Sequence, residues 1–206
     1  MRHLIIRGNT PTACLQKQSC TAIISLALFF SREQSIFLNN STLLAPLNDK
    51  ACVLSVNMAN NNMGTVVWAG KWNIPGNKYH GHRTDIRIRR PIGMAAANSK
   101  IFITLNTDKR VITIDKQSGQ CSDFLSLNLP ARRLVIDPSN QFLYIGLEHG
   151  LAKCNLSDAS SLKTLFGSTK SGNEVGTLST TQVEKVNGLV MLEDHILLAA
   201  DTGNAR

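Results

Sequence analysis

The chain has 206 residues, 43% of them apolar and 5% aromatic, and its 22 Lys and Arg against 14 Asp and Glu give a formal net charge of +8. The apolar share suffices for a hydrophobic core and excludes wholesale disorder, while five cysteines are too few for a disulfide scaffold. The length allows one domain or two small ones.

The first forty or so residues differ from the rest of the chain. Arg2, Arg7 and Lys17 precede the ten-residue apolar run 21–30, an order typical of a secretory signal. The run is too short for a membrane-spanning helix, which needs roughly 18 apolar residues, and we expect no membrane span. We interpret residues 1–42 as an N-terminal segment that is either signal-like or poorly ordered. A working signal would make the protein extracellular, and otherwise we expect it in the cytoplasm.

From about Leu43 onward, short apolar runs alternate with Asn, Gly, Asp and Pro, and no helical periodicity is sustained. Runs of β-branched or aromatic residues that end at turn-forming residues are typical of strands, so the pattern predicts an all-β fold. The clearest runs are 101–104, 111–114, 134–136, 142–145 and 196–200.

The positive charge is densest in residues 83–90. Ile86 and Ile88 alternate there with charged residues, which predicts a half-buried strand with a basic outer face. Such a face is either merely solvated or meets phosphates or acidic protein surfaces. The candidate binding residues for a nucleic acid or an acidic partner are Arg83, Arg87, Arg89 and Arg90.

An internal repeat of about 48 residues runs through the rest of the chain. Gly70 lies 97 residues before Gly167, and Gly93 lies 95 residues before Gly188, in similar sequence surroundings. A further unit around residues 130–145 falls between the members of each pair, so each spacing spans two repeats. Units of this length with short strands and Gly-marked turns are typical of β-propeller blades.

Polar turn residues recur in these units. A fainter copy around Asn57 precedes the others, and Asn57 lies 144 residues, or three repeats, before Asp201. Asp and Asn accept hydrogen bonds from backbone N–H groups within a turn, and Gly permits a positive φ. We therefore expect a structural role for Asn57, Asn106, Asp201, Gly203, Asn204 and Arg206.

The last unit contains Asn187-Gly-Leu-Val190, Ile196-Leu-Leu198 and Ala200-Asp-Thr-Gly-Asn-Ala-Arg206, and it resembles the NHL repeat. The resemblance implies an all-β fold of NHL-type β-propeller blades over residues 43–206. About six blades usually close such a ring, and the chain has room for three to four. We therefore expect an incomplete ring and a fragment truncated at its C-terminus.

The resemblance also implies a function, namely a non-enzymatic scaffold that mediates protein–protein interaction. Two alternatives stay open. Some NHL propellers bind single-stranded RNA on a basic face, and metal-dependent hydrolases or lyases occur among six-bladed relatives. The sequence has no Gly-x-Ser-x-Gly, phosphate-loop, His-Glu-x-x-His or Cys-x-x-Cys motif. We expect no enzymatic activity, no catalytic residue, no metal and no cofactor.

Two further residue types have an expected place in the core. Cys52 and Cys154 fall in or near predicted strands, and we expect them to be small buried apolar residues. Trp68 and Trp72 flank a Gly-bearing turn, and we expect them to pack between blades rather than stack on a ligand.

Overall fold

The computed structural model describes residues 33–59, 64–167, 170–192 and 196–205. Fifteen β-strands and no helix lie within these ranges. Accordingly, this part of the chain has no helix long and apolar enough to cross a membrane. The signal-like run and Arg206 fall outside the described residues, whereas the predicted all-β fold is confirmed.

The strands form four antiparallel sheets that follow chain order. Blade 1 contains β1 (Ile36–Asn39), β2 (Thr42–Leu47), β3 (Cys52–Asn57) and β4 (Thr65–Gly70). Blade 2 contains β6 (Pro91–Ala97), β7 (Lys100–Leu105), β8 (Arg110–Asp115) and β9 (Gln120–Ser126), with the short strand β5 (Gly81–His82) added beside β9. Blade 3 contains β10 (Ala131–Ile136), β11 (Phe142–Leu147), β12 (Gly150–Asn155) and β13 (Asp158–Gly167). A two-stranded sheet of β14 (Val186–Met191) and β15 (Leu197–Asp201) follows.

Asp residues close the turns between neighbouring strands. The Asp115 carboxylate accepts hydrogen bonds from the N–H groups of Gln117 and Ser118 at 3.1 and 2.8 Å. The bonds from Ser118 hold the pKa of Asp115 below its usual value. Asp137 accepts a similar bond from the Phe142 N–H at 2.6 Å. The Asp115 bond to Gln117 is an Asx turn, whereas Asp137 spans a longer loop to the first residue of β11. Side-chain bonds of both kinds favour the fold of short apolar runs separated by Asp as antiparallel meanders.

The hydrophobic core lies between adjacent blades. On β7, Ile101 and Ile103 belong to the cluster shared with blade 1, whereas Phe102 belongs to the cluster shared with blade 3. All three side chains are fully buried, and each contributes about 1.5–3 kcal/mol to folding. A sheet with both faces covered needs apolar residues in sequence, which accounts for the continuous run 101–103.

The repeat predicted from sequence is present, but its length varies. The first strands β6, β10 and β14 each pair their first residue with the end of the next strand, and then the register shifts. These pairs are Pro91 with Leu105, Ala131 with Leu147, and Val186 with Asp201. The repeats between them are therefore 40 and 55 residues long. The connections between blades, rather than the blades, absorb the difference.

The three cysteines within the described ranges lie in the core as free thiols. Cys52 and Cys154 are buried, as predicted from their strand positions, and Cys121 is buried as well. Burial raises the pKa of Cys52 and of Cys154 to about 11 and that of Cys121 to about 12. These thiols are therefore neutral apolar groups at physiological pH.

Candidate binding surface

Residues 71–90 connect β4 of blade 1 to β6 of blade 2, and they are called the basic connection below because six Lys and Arg stand against one Asp. Two fully buried side chains, Ile86 and Ile88, anchor this segment in the core between blades 1 and 2. Lys78 and Arg87 pair with each other through reciprocal backbone hydrogen bonds of 3.0 and 2.9 Å. The segment thus folds back on itself and has a fixed shape.

The prediction of a strand over residues 83–90 is wrong, although the predicted alternation of buried and exposed side chains is confirmed. Arg87 alone takes part in a β-bridge, and its partner Lys78 belongs to the same connection. The Asp85 N–H donates to the His82 carbonyl at 2.8 Å, and Arg90 has a positive φ of 42°. The backbone turns at both places, so no continuous ladder forms.

The structure separates the four candidate arginines instead of placing them on one face. Arg83 turns toward blade 1, where its guanidinium donates to the Trp68 carbonyl at 2.6 Å and lies 5.1 Å from the centre of the Trp68 ring. Its backbone also joins two blades, since the Gly70 N–H donates to its carbonyl and its own N–H donates to Gly119. Arg83 is therefore a structural anchor, while Arg87, Arg89 and Arg90 are exposed.

Arg89 lies at the edge of an acidic cluster. Its guanidinium is 3.9 Å from the Asp108 carboxylate, and Arg110 forms an ion pair with Asp123. Arg110 also lies 5.4 Å from the centre of the Tyr79 ring. Burial, followed by Asp108, raises the pKa of Tyr79 to about 12. One carboxylate oxygen of Asp108 and one of Asp123 are buried without a hydrogen bond in the described structure.

A concave site lies on the basic connection beside Arg87. The cleft has a volume of about 270 Å³ and is lined by Lys71, Gly76, Asn77, Lys78, Asp85 and Arg87. We call it the basic cleft, since three cations and one carboxylate give it a net charge of +2. Asp85 is 4.0 Å from Lys71, and no carboxylate of the described ranges lies within ion-pair distance of Lys78 or Arg87.

Sequence reasoning did not identify Lys71 and Lys78 as partners of Arg87. The local signal is Pro75-Gly76-Asn77, a turn sequence that would fold the two lysines toward the arginine run. Trp72, expected in the core, is 44% exposed and lies 5.9 Å from the Lys50 ammonium, whereas Trp68 is buried as expected. The basic connection therefore presents an aromatic side chain as well as charge.

A second polar group of residues links the blades where their first strands begin. Glu33 pairs with Arg133 at 3.0 Å and accepts a hydrogen bond from the Asn48 amide at 2.7 Å. Arg133 also donates to the Asn187 carbonyl at 2.8 Å. Beside it, Arg132 pairs with Glu148 at 2.7 Å. Each arginine of this cluster is paired with a glutamate, and the contacts join three sheets. The cluster therefore links the sheets, and its charges are already neutralised within the protein.

The chain just before β1 adds an unusual contact. The Gln34 side-chain amide donates to the Leu134 carbonyl at 2.6 Å and accepts from the Leu134 N–H at 3.0 Å, as a neighbouring strand would do. The Gln34 backbone N–H donates to Ile92 at 3.0 Å. A single residue thus bridges the first strands of blades 2 and 3.

The predicted turn residues occupy two different positions. Asp201 ends the second strand of its sheet, and its carboxylate accepts bonds from the N–H groups of Glu184 and Lys185 at 2.9 and 3.3 Å. Asn106 follows the second strand of blade 2 and donates to the Ala131 carbonyl at 3.0 Å. Asn57, in contrast, ends a third strand, so its predicted equivalence with Asp201 is wrong.

The last turn also differs in detail from the expectation. Gly203 has no positive φ; the left-handed residue is Ala205, with a φ of 59°. Gly203 is needed because a Cβ there would overlap the side chain of Glu184. The Asn204 amide donates to Asp201 and to the Gly172 carbonyl, each at 2.7 Å. No three His, Cys, Asp or Glu side chains are grouped to hold a metal ion in the described part of the chain.

Comparison with known proteins places the fold. No protein-family model matches the chain, and no curated protein matches its sequence. A nidogen/laminin complex contains a similar structure at 14% identity and a TM-score of 0.55, covering 79% of this chain and 53% of that one. A 6-phosphogluconolactonase-like protein from Bacteroides uniformis ATCC 8492 is similar at 11% identity and a TM-score of 0.56, covering 84% and 48%.

A structural-genomics protein of unknown function from Bacteroides thetaiotaomicron VPI-5482 gives the same result, with 17% identity, a TM-score of 0.51 and coverage of 82% and 44%. The chain spans about half the length of the solved structures it matches. Identities this low establish the fold alone. The four antiparallel sheets and these neighbours show that the described part of the chain has a β-propeller-like fold.

Proposed function

We propose that this domain is a non-enzymatic propeller scaffold of the NHL type that binds a partner protein, and that the basic connection contacts an acidic surface of that partner. The observation that carries the proposal is a rigid, exposed segment with more cations than its surroundings neutralise. A surface patch of exposed positive charges attracts a negatively charged partner and fixes its orientation.

Three exposed cations of the basic connection have no ion-pair partner among the described residues. Lys78, Arg87 and Arg90 have no carboxylate within ion-pair distance in the described residues, whereas Arg89 faces Asp108 and Arg83 is held by Trp68. Ile86 and Ile88 hold the backbone between these cations in the core. A partner would therefore meet charges whose positions are set before binding, which lowers the entropic cost of association.

Single-stranded RNA is the second candidate ligand, and Trp72 favours it. This ring is 44% exposed, lies 5.9 Å from the Lys50 ammonium and follows Lys71 of the basic cleft in the sequence. Single-stranded nucleic acids bind where aromatic rings stack on bases and cations follow the backbone. RNA binding through Trp72 would therefore need the ring, whereas binding of an acidic protein would need mainly the charges.

Fluorescence anisotropy with the full chain separates the two ligands. A labelled glutamate-rich peptide and a labelled oligouridine of equal length are titrated with the wild type and with Arg87→Gln/Arg89→Gln/Arg90→Gln. We expect the triple variant to bind the peptide about tenfold more weakly. The control Lys100→Gln/Lys116→Gln/Lys163→Gln removes the same charge elsewhere and should keep wild-type affinity.

Two results would overturn the protein-binding proposal. One is a wild type that does not bind the peptide, or that binds it as well in the triple variant as in the control. The other is tight oligouridine binding that Trp72→Ala abolishes, with no peptide binding, which would establish the RNA alternative. Salt should weaken either complex, so the comparison is made at a single ionic strength.

A further inference from the structure

We infer that the basic cleft is a binding site for the phosphoryl group of a phosphorylated serine or threonine in a partner protein. The inference rests on the proposed function, because it names the chemistry that the basic connection would recognise. The charge, the backbone pairing and the size of the cleft support it.

The first observation is a pair of like charges held opposite each other. Lys78 and Arg87 are partners in an antiparallel β-bridge, with backbone bonds of 3.0 and 2.9 Å. Side chains of directly opposed residues start about 5 Å apart, and like charges in that position are destabilising. No carboxylate of the described residues lies within ion-pair distance of either charge, and Asp85, which also lines the cleft, is 4.0 Å from Lys71. An anion in the cleft would relieve the repulsion between Lys78 and Arg87.

The second observation is that the cleft is shaped by backbone, not by mobile side chains alone. A Cβ on Gly76 would lie 2.7 Å from the Cβ of Arg87, so the Arg87 stem crosses directly over this glycine. On either side of Arg87, Ile86 and Ile88 are fully buried. The Arg87 stem is thereby held against Gly76, and both residues line the cleft.

The charge of the cleft selects among anions. Lys71, Lys78 and Arg87 against Asp85 give a net charge of +2. A phosphomonoester carries about −1.5 to −2 at neutral pH and has three strong acceptor oxygens. A carboxylate or a phosphodiester carries only about one negative charge. The phosphomonoester therefore balances the cleft best, and the guanidinium of Arg87 can hold two of its oxygens at once.

The size of the cleft fits the same ligand. About 270 Å³ accommodates a phosphoryl group and part of the residue that carries it, but not a whole nucleotide with its neighbours. Trp72 and Ile74, exposed by 44% and 46%, belong to the same connection and could contact an apolar residue next to the phosphorylated one. A peptide therefore fits this site better than a nucleic acid does.

Anisotropy with two matched peptides tests the inference on the full chain. The peptides share one acidic sequence and differ only at the centre, which is phosphoserine in one and glutamate in the other. We expect the wild type to bind the phosphoserine peptide about tenfold more tightly. Lys78→Gln/Arg87→Gln should reduce this ratio to about one, whereas Arg89→Gln/Arg90→Gln should weaken both peptides and keep the ratio.

The outcomes distinguish this inference from the proposed function. If the wild type binds neither peptide, the proposed function fails. If it binds both equally, or if the Lys78/Arg87 variant keeps the preference for phosphoserine, only the inference about the cleft is overturned. Displacement of the phosphopeptide by oligouridine at lower concentration than by the glutamate peptide would also overturn it. Lys71→Gln, a change at a partly exposed side chain, serves as the cleft variant if the double variant does not fold.

Discussion

Two long connections join blades in the described part of the chain, and they differ in charge although they have the same role. The basic connection leads from β4 to β6, and residues 170–185, the neutral connection, lie between β13 and β14. Six Lys and Arg stand against one Asp in the former, and two Lys against two Glu in the latter. Joining blades therefore does not require an excess of charge, which favours a role in binding for the cations of the basic connection.

The two connections are also held in different ways. The basic connection inserts Ile86 and Ile88, both fully buried, between blades 1 and 2. The neutral connection buries Val183 but leaves Val175 and Leu178 exposed by 82% and 64%. Local hydrogen bonds, such as the 2.9 Å bond from the Gln182 N–H to Glu174, fix its shape instead. The charged segment is thus the more firmly anchored one.

The largest expected effect comes from removing an anchor. Ile88→Ala should lower the free energy of unfolding by about 2–5 kcal/mol, because it loses buried apolar area and leaves a cavity. Leu178→Ala in the neutral connection should change it by less than about 0.5 kcal/mol. Urea unfolding followed by Trp fluorescence measures both. Equal losses would mean that the two connections are anchored alike.

A smaller effect is expected where the basic connection crosses itself. Gly76→Ala places a methyl group against the Arg87 stem and should lower the free energy of unfolding by about 1–3 kcal/mol. Gly64→Ala is the matched control, since its Cβ would meet nothing within 4 Å. The same urea experiment applies. A Gly76→Ala protein as stable as the control would show that Arg87 is free to move away.

Alkaline pH should act on the basic connection through Tyr79. Its pKa of about 12 and that of Cys121, also about 12, lie above the usual values of 10.0 and 9.0. The fold thus favours the neutral forms, and this stabilisation is complete below the usual values and is lost as pH rises toward 12. Melting temperatures should therefore fall above about pH 9. Tyr79→Phe should show a smaller fall, and an equal one would exclude Tyr79 as a cause.

The smallest effect is expected from the charges themselves. Arg87→Gln removes one member of the like-charged pair with Lys78, so it should leave stability unchanged or raise it by up to about 0.5 kcal/mol. Glu174→Gln in the neutral connection is the comparison, with a change within about 0.5 kcal/mol. Thermal melts at low salt measure both. A marked destabilisation by Arg87→Gln would mean that its charge serves the fold, against the role in binding.

Much of the fold follows from local pattern. Strands such as β7 and β11 are recognisable because β-branched and aromatic residues cluster between turn-forming ones. Asp115 at the end of β8 and Asp137 just after β10 close the following turns with side-chain hydrogen bonds. The repeat was detectable because equivalent strands keep their spacing within a blade. The variation in repeat length could not be predicted, because the connections between blades change in length without affecting the sheets.

The site was predictable only in part. Burial of Ile86 and Ile88 follows from alternation, which exposes Arg87 and Arg89. No sequence rule brings Lys78 opposite Arg87, because that pairing depends on where the connection reverses. Likewise, Arg83 looks like its neighbours in sequence, yet the Trp68 carbonyl and ring hold it. Contacts of this kind depend on the packing of two blades, which the local sequence does not encode.

The Gln34 contact bears on the order in which the molecule assembles. Gln34 and Leu134 are 100 residues apart, whereas the hairpins of blades 2 and 3 join strands that are neighbours in the chain. Hairpins form in about 1–10 μs, and contacts between distant residues must first overcome the entropy of closing a long loop. We therefore expect blades 2 and 3 to form first and residues 33 and 34 to dock afterwards. The two hydrogen bonds between the Gln34 side chain and Leu134 would then form after the main folding barrier. Bonds that form this late slow unfolding more than they speed folding.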